Sequence, residues 1–170
     1  MYSIGEKVIY GGHGVCLIAG IDQRNIDHKE VSYYVLTPMG QSQTQFFVPA
    51  HNPVAMAKVR YPMSREEMVL LLRQAQSGAP SWIPEDNRRK NRYKELLSSG
   101  DFLSLAQMVY TLQEYRQSLF AVGKRFHVCD DNFLRDAKRI LDSEICEVLE
   151  IPAGEVPEAI EGLLMEEISR

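Results

Sequence analysis

Three cysteines, Cys16, Cys129 and Cys146, are all that the 170 residues contain, and they are too few and too far apart for a disulfide framework or a Cys-x-x-Cys pair. A reducing compartment fits them. The four histidines, His13, His28, His51 and His127, are equally scattered, with no His-x-x-x-His, so no metal site is expected. Gly-x-Ser-x-Gly is missing, as are a cysteine with a positioned histidine and a carboxylate pair set in an apolar run. Acid/base and nucleophilic catalysis are left without candidates, so the chain does not read as an enzyme and no cofactor is implied. No apolar run approaches membrane-spanning length, and the opening Met1-Tyr2-Ser3-Ile4-Gly5-Glu6-Lys7 lacks a signal peptide's basic and then apolar pattern. The expectation is a soluble cytoplasmic protein without a membrane partner. Tryptophan is scarcest of all: Trp82 stands alone.

The net charge of −4 excludes a protein that coats nucleic acid by bulk electrostatics, so any such contact must come from a local patch. Residues 144–167 carry eight glutamates and no Lys or Arg, and without them the chain is net basic. The cations collect around the tryptophan. In Trp82-Ile83-Pro84-Glu85-Asp86-Asn87-Arg88-Arg89-Lys90-Asn91-Arg92-Tyr93-Lys94, five cations fall within seven residues. An indole at the mouth of a basic helix is a way to grip nucleic acid, since cations neutralise phosphates while an aromatic stacks or wedges against bases. Against this stands the ordinary use of a lone tryptophan as core packing and of a basic run as a solvated helix face.

Texture divides the chain at Pro62, predicting domains at 1–62 and 63–170. Residues 4–10 are β-prone, Gly11-Gly12-His13-Gly14 breaks them, and residues 15–21 form a second strand. The glycine run lacks the lysine and long helix of a phosphate loop and reads as a turn. Residues 22–29 read as a connecting loop, 31–37 as a third strand, 44–49 as a fourth and 57–60 as a fifth. Short strands punctuated by Gly and Pro predict a small SH3/Tudor-like β barrel, which would close its sheet. Beyond Pro62 the chain turns helical. Ser64-Arg65-Glu66-Glu67 is a capping box opening a helix over 65–76, and a second helix runs from the tryptophan stretch to about Ser98. Asp101 caps a third, with the stripe Leu105, Met108, Val109, Leu112, Tyr115 and Leu119. Asp130 caps a fourth, with the stripe Phe133, Leu134, Ala137, Ile140, Leu141, Ile145 and Val148, stopped by Pro152. A fifth covers 156–167. The class is α+β, a small barrel followed by an all-helical domain.

Several runs together resemble the CarD/CdnL family of bacterial transcription regulators. Ile4-Gly5-Glu6-Lys7-Val8-Ile9-Tyr10 with His13-Gly14-Val15 is similar to that family's opening pattern, apart from glycine where proline is usual. Tyr33-Tyr34-Val35-Leu36, Phe47-Val48-Pro49, Ser99-Gly100-Asp101 and residues 131–144 resemble later segments. The resemblance implies a Tudor-like domain that docks on the RNA polymerase β subunit and a helical domain that touches promoter DNA at the upstream edge of the melted bubble. It further implies that Trp82 wedges into the minor groove and holds the open complex, with Arg88, Arg89, Lys90, Arg92 and Lys94 as the basic patch. The stretch from Trp82 to Gly100 is longer than usual for the family. On the polymerase side, Arg24 matches a docking arginine and Phe47 replaces a second basic residue. Docking is expected at a sheet edge near Arg24 and Ile26 with residues 44–47 beside it, one of Phe46 and Phe47 facing the core and the other the partner. The chain is expected to act as a monomer. The alternative is a protein-interaction adaptor that binds polymerase or another protein without contacting DNA.

Overall fold

Alternating apolar residues and paired glycines build the first unit of the chain. The computed structural model describes residues 1–41 and 43–165, and the chain separates into two compact units, Met1–Pro62 and Met63–Arg170. In the first unit, β1 (Lys7–Tyr10), β2 (Val15–Ile26), β3 (Lys29–Pro38), β4 (Phe46–Pro49) and β5 (Val59–Arg60) form one antiparallel sheet in the order β4-β3-β2-β1-β5. Gly11–His13 is a single 3-10 turn, and Gly14 leaves it at φ 73°, ψ −149°, a region open to glycine alone. Val8, Cys16, Ile18, Tyr34, Leu36, Val48 and Val59 form the core.

Residues 22–29, expected to be a loop, are instead the outer half of a long hairpin. β2 and β3 stay paired out to Ile26↔Lys29, with only Asp27 and His28 between them, at φ 49° and 61°. Two successive positive φ values give the turn whose twist matches the strands, and Asp and His are among the side chains that tolerate it. The polar composition of the segment reflects a hairpin that projects past the core. A short helix, α1 (Pro53–Met56), also escaped the reading, although Asn52 caps it by accepting from the amides of Val54 and Ala55, at 3.0 and 3.1 Å. Among the described residues no ladder joins β4 to β5, so the sheet keeps two edge strands where full closure was expected.

The second unit is helical: α2 (Arg65–Ser77), α3 (Asp86–Ser99), α4 (Phe102–Ala121), α5 (Val128–Leu149) and α6 (Val156–Met165). Ser64 caps α2 through the Glu67 amide at 3.1 Å, and Asp101 caps α4 through the Ser104 amide at 2.9 Å. Gly100 stops α3 in the left-handed region, at φ 66°. α5 starts earlier than expected, with His127 at its N-cap and Asp130 inside its first turn. The last two residues of the expected final helix, 166 and 167, lie outside the described residues. α4 packs on α2 and α5 with Leu105, Met108 and Leu112 fully buried, each worth about 1.5–3 kcal/mol of transfer free energy.

Candidate functional site

A strap of irregular chain, residues 78–85, leads from α2 into α3, and one face of α4 holds it down. Gln107 donates to the Gly78 carbonyl at 3.1 Å, and Thr111 donates to the Pro80 carbonyl at 2.7 Å. One turn further, Tyr115 stacks on Trp82 at 3.8 Å between centroids and 13° between planes. Positions 107, 111 and 115 repeat every four residues, so they share a face of the helix. Of the three, the sequence pattern marks only Tyr115, as a member of the apolar stripe; Gln107 and Thr111 lie outside it.

The other side of the indole is taken as well. The Arg89 guanidinium carbon lies 4.5 Å from the Trp82 ring, and because Tyr115 fills one face, Arg89 covers the opposite one. Arg89 itself is buried, 3 % exposed. Its Nε donates to Asp130 at 2.9 Å, one Nη to the Ile83 carbonyl at 2.9 Å, and the other to Asp86 at 2.8 Å. Two expectations change here. Trp82 is half-buried, with Tyr115 and Arg89 against its ring, and Arg89 is not on the surface where a phosphate would reach it; Arg89 pins α3 and the strap to the first turn of α5. Asp130, expected as a cap, is the buried counter-ion. Tyr93, one turn along on the same inner side, has its hydroxyl pushed up to about 12 by burial and by the Asp130 carboxylate.

The outward side of α3 is a different surface. Asn87, Arg88, Asn91 and Arg92 line a shallow cleft of about 550 Å³ with Ile83, Glu85 and Glu95. Arg88 and Lys94 are exposed and have no ion pair among the described residues. Arg92 lies 3.5 Å from Glu95, both exposed. Lys90 pairs with Asp86, and their hydrogen bond holds the carboxyl below its usual range and the ammonium above its own. Of the five cations in the run, one is therefore interior, two are paired at the surface and two are unpaired.

In the first unit, Phe46 turns toward the core opposite Leu36, touching Tyr10 and His13. Its neighbour Phe47 faces out, 40 % exposed. Arg24 reaches across the sheet from β2 to lie 4.1 Å from the Phe47 ring and 5.6 Å from that of Tyr33, while its Nε donates to Asp22 at 2.8 Å. Ile26 is exposed beyond them, at the end of the hairpin. Tyr33, which joins this group, stands in the sequence reading as part of a strand and not as a docking residue; strand alternation from Tyr34, a core residue, places it on the outer face. Among the described residues no group of His, Cys, Asp and Glu could hold a metal ion, and no helix is long and apolar enough to cross a membrane. Residues 2–60, which carry the Arg24–Phe47 face, match the family model of the CarD-like/TRCF RID domain.

Proposed function

We infer that this chain, whose residues 2–60 match the CarD-like/TRCF RID domain of RNA polymerase-interacting, transcription-related proteins, regulates initiation by bridging polymerase to promoter DNA. The first domain meets the β subunit along the β4 edge, where Arg24, Phe47 and Ile26 offer a cationic and apolar face beside unpaired strand amides and carbonyls. Phe46 supports that edge from the core side.

The second domain contacts DNA at the upstream edge of the bubble and prolongs the open state. What carries this reading is the outward face of α3, where Arg88 and Lys94 stand unpaired and Arg92 and Lys90 flank them, in a protein of net charge −4. A helix facing the backbone in this way reads phosphates and no sequence, so binding to free DNA is weak and polymerase supplies the register. For Trp82, a wedge role would require the indole to leave both Tyr115 and Arg89; its covered position supports a part in holding the strap and α3 in place. The family is not known for enzymatic activity, and we read this chain as a non-catalytic cytoplasmic regulator acting as a monomer.

The test is open-complex lifetime on a promoter, with polymerase retention measured in parallel. Arg88→Ala with Lys94→Ala should shorten the lifetime while retention and melting temperature stay unchanged. An unchanged lifetime beside normal polymerase retention would favour the adaptor reading, in which the protein never touches DNA.

A further inference from the structure

Between the strap, α3 and α4 the helical domain holds a second cavity, of about 180 Å³. Ile83 from the strap, Tyr93 and Leu96 from α3 and Met108 from α4 give it a largely apolar wall. An apolar cavity of about 150 Å³ is enough to take benzene, so this one has room for a single six-membered ring with small substituents. A nucleotide would not fit.

Two polar groups in the wall have work left to do. Tyr93 is 3 % exposed, and its hydroxyl has no hydrogen-bond partner among the described residues. A buried hydroxyl in that state costs stability, so a ligand that supplies an acceptor gains by meeting it. Burial and the Asp130 carboxylate push the hydroxyl up to about 12, which keeps it a donor throughout the neutral range. Arg92 is the one cation among the described lining residues, no carboxylate lines the cavity, and its half-exposed side chain marks where the space meets solvent. Its ion pair with Glu95, at 3.5 Å between two exposed side chains, is weak enough to yield to a better-placed anion. Gln107 and Thr111, also in the wall, already hold the Gly78 and Pro80 carbonyls.

We propose that this cavity binds a small monocyclic aromatic acid of the hydroxybenzoate class, its ring against Ile83, Leu96 and Met108, its hydroxyl accepting from Tyr93 and its carboxylate at Arg92. The ring follows from the volume and from the wall, where the Met108 sulfur adds a favourable contact to an aromatic edge. The carboxylate follows from a guanidinium with no anion beside it in the cavity, and the ring hydroxyl from the donor that Tyr93 leaves unused. A ring seated here touches the strap, α3 and α4 together, so binding fastens the strap to both helices. The site does not depend on what the outer face of α3 binds.

The full chain, carrying carbon-13 at its methionine methyl groups, is titrated with para-hydroxybenzoate and with benzoate while nuclear magnetic resonance follows the seven methionine signals. Met108→Leu identifies the signal that belongs to the cavity. That signal should move saturably, because a ring current acts only at close range, and the melting temperature should rise with either acid. Tyr93→Phe should melt no lower than the wild type, since it removes an unpartnered buried hydroxyl. It should bind para-hydroxybenzoate about tenfold more weakly and benzoate as before. Arg92→Gln should weaken both acids by about tenfold, and Ser104→Leu, which adds bulk to the cavity wall, should abolish both with the fold kept. A Met108 signal that neither acid moves would overturn the proposal. So would a Tyr93→Phe variant that melts lower, since the hydroxyl would then serve the fold, or one that loses affinity for both acids equally. Shifts that persist unchanged in Ser104→Leu would mean binding elsewhere, and they overturn it too.

Discussion

Arg89 shows how one side chain in a basic run can leave the surface. Its guanidinium satisfies Asp130, Asp86 and the Ile83 carbonyl and covers the Trp82 ring, so its removal strands a buried carboxylate. Arg89→Met should lower stability by about 3–5 kcal/mol in a denaturant titration, and adding Asp130→Leu should return a large part of it, because the uncompensated charge goes with its partner. Trp82→Ala should cost about 3 kcal/mol for the lost stack and packing, and so lower the melting temperature of the helical domain. A variant that melts like the wild type would show that the indole is dispensable to the fold. Neither interior role was legible in the sequence. Helical spacing from Tyr93 puts Arg89 on the inner side of α3, but only the approach of Asp130, 41 residues away, makes that side habitable for a cation.

At the scale of elements, the caps and apolar stripes of α2, α4 and α5 were readable because they are local: a Ser64 or Asp101 oxygen meets an amide three residues on. The β2–β3 hairpin was missed for the opposite reason. Its outer half has little core to face, so its polar residues carry no alternation and the turn depends on backbone angles at Asp27 and His28. For α3 the run of cations was legible, but the division between its faces was not. With Arg88, Lys94 and Arg92 meeting phosphates, DNA binding should show a log-log salt slope of roughly −2.7. Removing Arg88 should reduce its magnitude by about one, whereas removing Lys90, already paired with Asp86, should change it less. On the sheet, Phe47→Ala should leave melting nearly unchanged and weaken polymerase retention, because the ring is exposed and its main described partner is the Arg24 cation.

For the molecule as a whole, the two units carry separate alkaline limits. Burial pushes the Cys16 thiol in the first from 9.0 to about 11, and the Tyr93 hydroxyl in the second from 10.0 to about 12. Each folded state thus holds its proton more tightly than the unfolded chain, so the stability is complete below the ordinary value and lost as pH rises through the shifted one. The first unit should weaken between about pH 9 and 11, by on the order of 2 kcal/mol; in the second, Tyr93 adds a dependence between about pH 10 and 12 to one that begins near pH 9 with Cys146, whose thiol burial also raises. Circular dichroism through an alkaline titration of the wild type and of Cys16→Ala should show the dependence of the β signal between about pH 9 and 11 lost in the variant. The strap that Gln107, Thr111 and Tyr115 hold against α4 also makes the molecule its own optical gauge. Its one indole is enclosed between a phenol ring and a guanidinium, so light absorbed selectively by tryptophan reports on that joint alone. Any partner that lifts the strap should shift the emission toward the red, and one that merely lands on the outer face of α3 should leave the colour where it was.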